Sequence, residues 1–128
     1  MPFQILSASA HQPGPDGRSL VLANDADPRT LNLDGIERID LVFPKFTDGR
    51  AYSQAYWLRR RLGYRGELRA TGDVLIDQLV QMQRTGFDVA VLREGVDAAA
   101  AQRQFERFAG FYQGSADEPR PLFAREAA

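Results

Sequence analysis

Two short runs carry the residue types that handle anions. The first is Lys45-Phe46-Thr47-Asp48-Gly49-Arg50, followed closely by Tyr52 and Ser53, and the second is Arg69-Ala70-Thr71-Gly72-Asp73. A glycine-containing loop that enters a helix lets backbone N–H groups approach a phosphate, sulfate or carboxylate, and a nearby arginine adds a bidentate fork. On this reading Lys45, Thr47, Asp48, Gly49, Arg50, Ser53, Arg69, Gly72 and Asp73 are the candidate ligand-binding residues. Asp48 and Asp73 are the weak candidates for a general base, since an aspartate among three cations has a lowered pKa and takes up a proton poorly unless burial offsets that. The structural alternative is that both aspartates simply cap helices, and that Arg69 alternates out of a strand to pair with Glu67 or Asp77.

The charge distribution favours a local site. From Lys45 to Arg69 there are seven basic and two acidic residues, a net +5, within a chain whose overall charge is −1. Arg59, Arg60 and Arg61 fall on the exposed side of an amphipathic helix, as a solvated face or a partner surface. Tyr52, Tyr56, Trp57 and Tyr64 cluster around the same helix. Trp57 lies off its apolar stripe, so Trp57, Arg59 and Arg60 are the candidate partner-binding residues. The basic run is confined to one helix and its flanks, which argues against nucleic acid.

The elements that must position these residues follow from periodicity. A short strand at about Phe3–Ser7 precedes a mobile loop that contains Pro13-Gly14-Pro15-Asp16-Gly17 and the lone histidine, His11, read as exposed and without function. A second strand falls at about Ser19–Ala23, and Arg38–Phe43 alternates like a strand until Pro44 stops it. Ala51, Ala55, Leu58 and Leu62 form one helical stripe, with Gly63 placed to end it. A strand at Glu67–Ala70 leads to a helix capped by Asp73, with Leu75, Leu79 and Met82 on one face. Phe87–Leu92 forms another strand, and Asp97 caps a last helix with Ala101, Phe105, Phe108 and Tyr112 in line. Alternating strands and helices with short connections predict an α/β fold, a single small domain over residues 1–128 with βαβ units on a mainly parallel sheet and helices packed on it. Residues 1–18 supply the N-terminal strand and mobile loop, and residues 114–128 an extended tail.

Composition excludes much. With no cysteine and one histidine, disulfides, thiolate zinc sites, cysteine-ligated iron–sulfur clusters, multi-histidine metal sites and a cysteine nucleophile are ruled out, so no metal is expected. No dinucleotide fingerprint or P-loop is present, so no cofactor is expected. The N-terminus lacks a signal-peptide pattern and no stretch is apolar enough to span a bilayer, which predicts a cytoplasmic protein without membrane attachment.

The run from Phe43-Pro44-Lys45-Phe46-Thr47-Asp48-Gly49-Arg50 through Gly63-Tyr64-Arg65-Gly66-Glu67-Leu68-Arg69-Ala70 and Gly72-Asp73-Val74 to Gly86-Phe87-Asp88 resembles the bacterial DUF934 family. The likeness is dense over residues 38–92. It implies a setting in assimilatory sulfate reduction, because members tend to be encoded beside sulfite reductase and are often labelled oxidoreductases on that ground. Three expectations follow. The first is an accessory protein that binds a sulfite reductase, another sulfate-assimilation enzyme or a small anion through the 45–53 and 69–73 loops. The second is a small α/β enzyme on an anionic substrate, held by Lys45, Arg50 and Arg69. The third is a purely structural partner subunit, marked by an apolar patch around Trp57, Phe108 and Phe111.

Overall fold

The computed structural model describes residues 3–45 and 49–116, with side chains through residue 107. Five strands, β1 (Gln4–Leu6), β2 (Ser19–Leu22), β3 (Arg38–Phe43), β4 (Glu67–Gly72) and β5 (Val89–Val91), form one open sheet in the order β1-β5-β4-β3-β2, and every pairing is parallel. The fold is α/β, as the alternation of elements requires.

The alternation within β3 sets the two faces of the sheet. Ile39, Leu41 and Phe43 are fully buried, as are Leu68 and Ala70 of β4 and Ala90 of β5 on the same face. Helix α1 (Arg50–Tyr56) packs over this face through Ala51 and Ala55, and α2 (Leu79–Thr85) lies beside it with Leu79 and Met82 buried. Arg38 and Asp40 of β3 and Glu67 and Arg69 of β4 point the other way.

Helix α1 continues into a π-helical turn, Trp57–Arg61, in which the Leu62 N–H reaches back to Trp57 O at 2.9 Å. A π-turn takes up an extra residue and shifts the phase of whatever follows. Leu58 stays fully buried, but Leu62, expected on the same stripe, is 40% exposed. Asp73 does not cap the next helix either. A 3₁₀ turn at Ile76–Gln78 intervenes, and α2 starts at Leu79.

The connection from β1 to β2 runs from one edge of the sheet to the other across the face opposite α1 and α2. The Gln12 carbonyl accepts from Arg38 Nη2 at 2.8 Å, and His11 meets Arg69 there, so the histidine expected in an exposed loop is packed on the sheet. The other connections advance in the opposite direction over the opposite face, and reversing both keeps the hand of the crossover.

The last helix, α3 (Ala98–Ala116), is a separate compact unit from residue 99 onward. It begins at the residue after Asp97 and passes through Gly114, where the extended tail was expected. Residues 117–128 of that tail, and the side chains of Phe108, Phe111 and Tyr112, lie outside the description. Among the described residues no helix is long and apolar enough to cross a membrane.

Gly72 ends β4 at φ +94°, and a Cβ there would sit 2.4 Å from Phe43 O. Gly35 has φ +76° with nothing within 4 Å. Gly72→Ala therefore meets both backbone strain and a clash, and should lower unfolding free energy in urea by on the order of 2–3 kcal/mol, against roughly 1 for Gly35→Ala.

Candidate functional site

At the carboxyl end of the sheet the two anion-type loops start side by side, because Phe43 and Gly72 are in register and the Asp73 N–H donates to Phe43 O at 2.7 Å. Lys45, Gly49, Arg50 and Ser53 are exposed here, and Thr47 and Asp48 lie outside the described residues. The Asp73 carboxylate accepts from Arg93 Nη1 at 2.9 Å. One of its oxygens is therefore already occupied by a hydrogen bond within the protein. Arg69 is not in this loop at all. It is a strand residue on the opposite face, with its Nε donating to Glu67 at 2.8 Å and its Nη1 to His11 Nδ1 at 3.0 Å. The structure thus gathers Lys45, Gly49, Arg50, Ser53, Gly72 and Asp73 at one end and separates Arg69 from them.

That opposite face holds a charged cluster. Arg38 forks onto Asp40 at 2.7 and 2.9 Å, and both are nine-tenths buried or more. His11 completes it, with Nε2 3.8 Å from Asp40 Oδ2. Arginine can only donate, so Nδ1 must accept and the proton of neutral His11 sits on Nε2. Burial lowers the His11 pKa, opposed by Asp40 and Glu67 and reinforced by Arg69 and Arg38. The pairing of Arg69 with Glu67 is the structural alternative the sequence offered; sequence reasoning missed the rest of the cluster, although its signal was present, since Arg38-x-Asp40 and Glu67-x-Arg69 alternate charge at the strand period in opposite order.

The three consecutive arginines behave differently. Arg59, expected on the exposed side, turns inward: Nε donates to Gly86 O, Nη1 to Tyr64 O and Gly66 O, and Nη2 to Asp88, all at 2.7–2.9 Å. It ties the end of the π-turn to the start of β5. Arg60 is exposed and stacks over Tyr56 at 5.5 Å, while Arg61 stacks over Trp57 at 5.2 Å. Arg29, from the β2–β3 connection, also stacks on Trp57 at 5.4 Å. Two other tyrosines are structural. Tyr52 packs edge-on against Phe43, and burial pushes its hydroxyl up to about 12, while Tyr64 donates to Ile36 O.

Beside Trp57 a cavity of about 320 Å³ opens between α1 and the turn Asn24–Arg29. Arg50, Ser53, Gln54 and Trp57 line it from the helix. Their spacing of 0, 3, 4 and 7 puts them on one helical face, a pattern readable in the sequence, whereas nothing in the sequence places Asn24, Asp27 and Arg29 beside them. Gln54 Nε2 donates to Ala23 O at 2.7 Å and Ala26 O at 2.9 Å, which anchors the turn to the helix. Among the described residues no three His, Asp or Glu side chains converge to hold a metal ion.

A family model described as a bacterial protein of unknown function, DUF934, matches residues 19–123. No curated protein and no solved structure matches the chain.

Because folding desolvates His11, the folded state favours its neutral form. Its folded pKa lies below the unfolded one, so its contribution to stability is complete above the ordinary histidine value of about 6.5 and is lost as the pH falls through and below it. Urea denaturation from pH 7.5 to 5 should show stability falling below about pH 6.5, with a shallower fall in His11→Gln. An identical slope in that variant would assign the pH dependence elsewhere.

Proposed function

For this chain, which belongs to the bacterial DUF934 family, we propose the role of a non-catalytic accessory protein of sulfate or sulfite reduction that docks on an acidic surface of a reductase. The observation that carries the docking is the arginine–aromatic face of α1 and its π-turn, where Arg60 and Arg61 are held over Tyr56 and Trp57 at the surface. Stacking orders these long side chains before any partner arrives, which reduces the entropy lost on association, and arginine with tryptophan and tyrosine is the composition of interface hot spots. The setting beside sulfite reductase that the family resemblance implies supports the choice of pathway.

The bonding of the polar groups supports binding over catalysis. Asp73, a candidate base, is held by Arg93, and Arg69, one of three cations expected on a substrate, faces away from Lys45 and Arg50. Arg59 is withdrawn from the docking face by its four hydrogen bonds, and Arg61 takes its place beside Arg60. The small-anion part of the role falls to Arg50 and Ser53, which flank that face.

The double variant Arg60→Glu/Arg61→Glu should weaken binding to the sulfite reductase of the same cell by at least about tenfold, and the wild-type affinity should fall with salt. Binding is read by biolayer interferometry at several salt concentrations, with circular dichroism confirming that the variant folds. Unchanged affinity in the folded variant would refute the docking.

A further inference from the structure

The β1–β2 connection lies on the sheet without a buried side chain to hold it there. From Ser7 to Gly14 no residue is buried, and the segment contains one 3₁₀ turn, Ala8–Ala10. Its hold on the sheet is polar and sits at two neighbouring residues. His11 Nδ1 accepts from Arg69 Nη1 at 3.0 Å, and the Gln12 carbonyl accepts from Arg38 Nη2 at 2.8 Å. Beyond them the Pro15 carbonyl is tied to β2 by Ser19 Oγ at 2.9 Å, and β1 holds the other end by its pairing with β5. A segment with so few buried contacts opens locally at a free energy well below that of the whole fold. Of its two anchoring groups, only His11 changes charge near neutral pH.

We propose that this connection is an acid-released strap, in which proton uptake by His11 breaks its contact with Arg69 and lets residues 8–14 lift while the five strands stay paired. The chemistry of the contact sets the direction. A guanidinium has only donors, so the bond exists only while Nδ1 is unprotonated. A proton on Nδ1 sets a donor against the Arg69 donor and a second positive charge beside it, with Arg38 close by. Asp40, 3.8 Å from Nε2, and Glu67 act the other way, but each already serves an arginine, Asp40 that of Arg38 at 2.7 and 2.9 Å and Glu67 that of Arg69 at 2.8 Å. Two guanidiniums and two carboxylates balance, so a charged imidazole meets no surplus counter-charge, and burial decides in favour of the neutral ring. Once the strap lifts, the imidazole returns to water and to its ordinary pKa of about 6.5. Opening therefore takes up one proton. Its equilibrium constant rises by up to about tenfold per pH unit as the pH falls from that value toward the lower one of the closed strap. Arg60 and Arg61 take no part in the strap, so docking and strap opening are independent.

The chain has one histidine, so the imidazole nitrogen resonances of the full-length protein report on His11 alone. Their titration should give a pKa below about 6.5, with the proton of the neutral ring on Nε2. Backbone amide relaxation at pH 7.5 and pH 5 should show residues 8–14 passing from the order of the sheet to fast internal motion, with residues 38–43 and 67–72 unchanged. In His11→Gln the motion of residues 8–14 should be the same at both pH values. The wild-type measurements decide the matter even where that variant folds poorly. A His11 pKa at or above 6.5, or a strap equally ordered once the ring is protonated, would overturn the proposal. So would loosening that spreads into β3 and β4, or a pH response that persists in a folded His11→Gln.

Discussion

The pairing of β3 with β4 is the constraint on which the rest of this structure depends. Arg38 stands opposite Glu67 and Asp40 opposite Arg69, while Ile39, Leu41 and Phe43 face the helices with Leu68 and Ala70. A slip of β4 by one residue against β3 would turn Glu67 and Arg69 into the apolar layer and Leu68 out of it, so the register is set by a penalty on both faces at once. Everything functional inherits that register. It brings the ends of the two strands level, places Asp73 against Phe43, and gives the β1–β2 connection a charged seat in the middle of the sheet.

Much of this was legible in the chain because periodicity and burial agree. β3, β4 and the start of α1 are visible from alternation at two and stripes at three to four residues, and these are the elements buried on a full face. Legibility failed where side chains compete for partners that sequence alone does not place. Asp73 has the local signature of a helix cap, but Arg93 arrives from the β5 side and takes its carboxylate. His11 lies in a proline- and glycine-rich stretch that reads as loop, and only the crossing of the sheet reveals that it meets Arg69. Leu62 fits the α-helical stripe, yet the π-turn before it displaces the phase.

The π-turn also divides the labour among identical residues. Arg59 points into the fold and closes four hydrogen bonds across the end of the sheet, and the next two arginines reach the surface and settle on aromatic rings. A basic triplet is thus part scaffold and part surface, and net charge alone does not separate the two. Trp57 joins these parts to the cavity, its ring flanked by Arg29 from the β2–β3 connection and Arg61 from the helix.

The position of β1 bears on how the molecule assembles. From β2 to β5 each strand pairs with the one that follows it, so this part can grow by addition of neighbouring units. β1 pairs with β5, Gln4 with Val89 and Leu6 with Val91, which gives it the longest sequence separation in the sheet. Closing so long a loop is entropically unfavourable and slow, and it yields nothing until the partner strand exists. On a ribosome, β1 must wait for its partner until residue 91 has emerged, whereas β2, β3 and β4 can already stand in register.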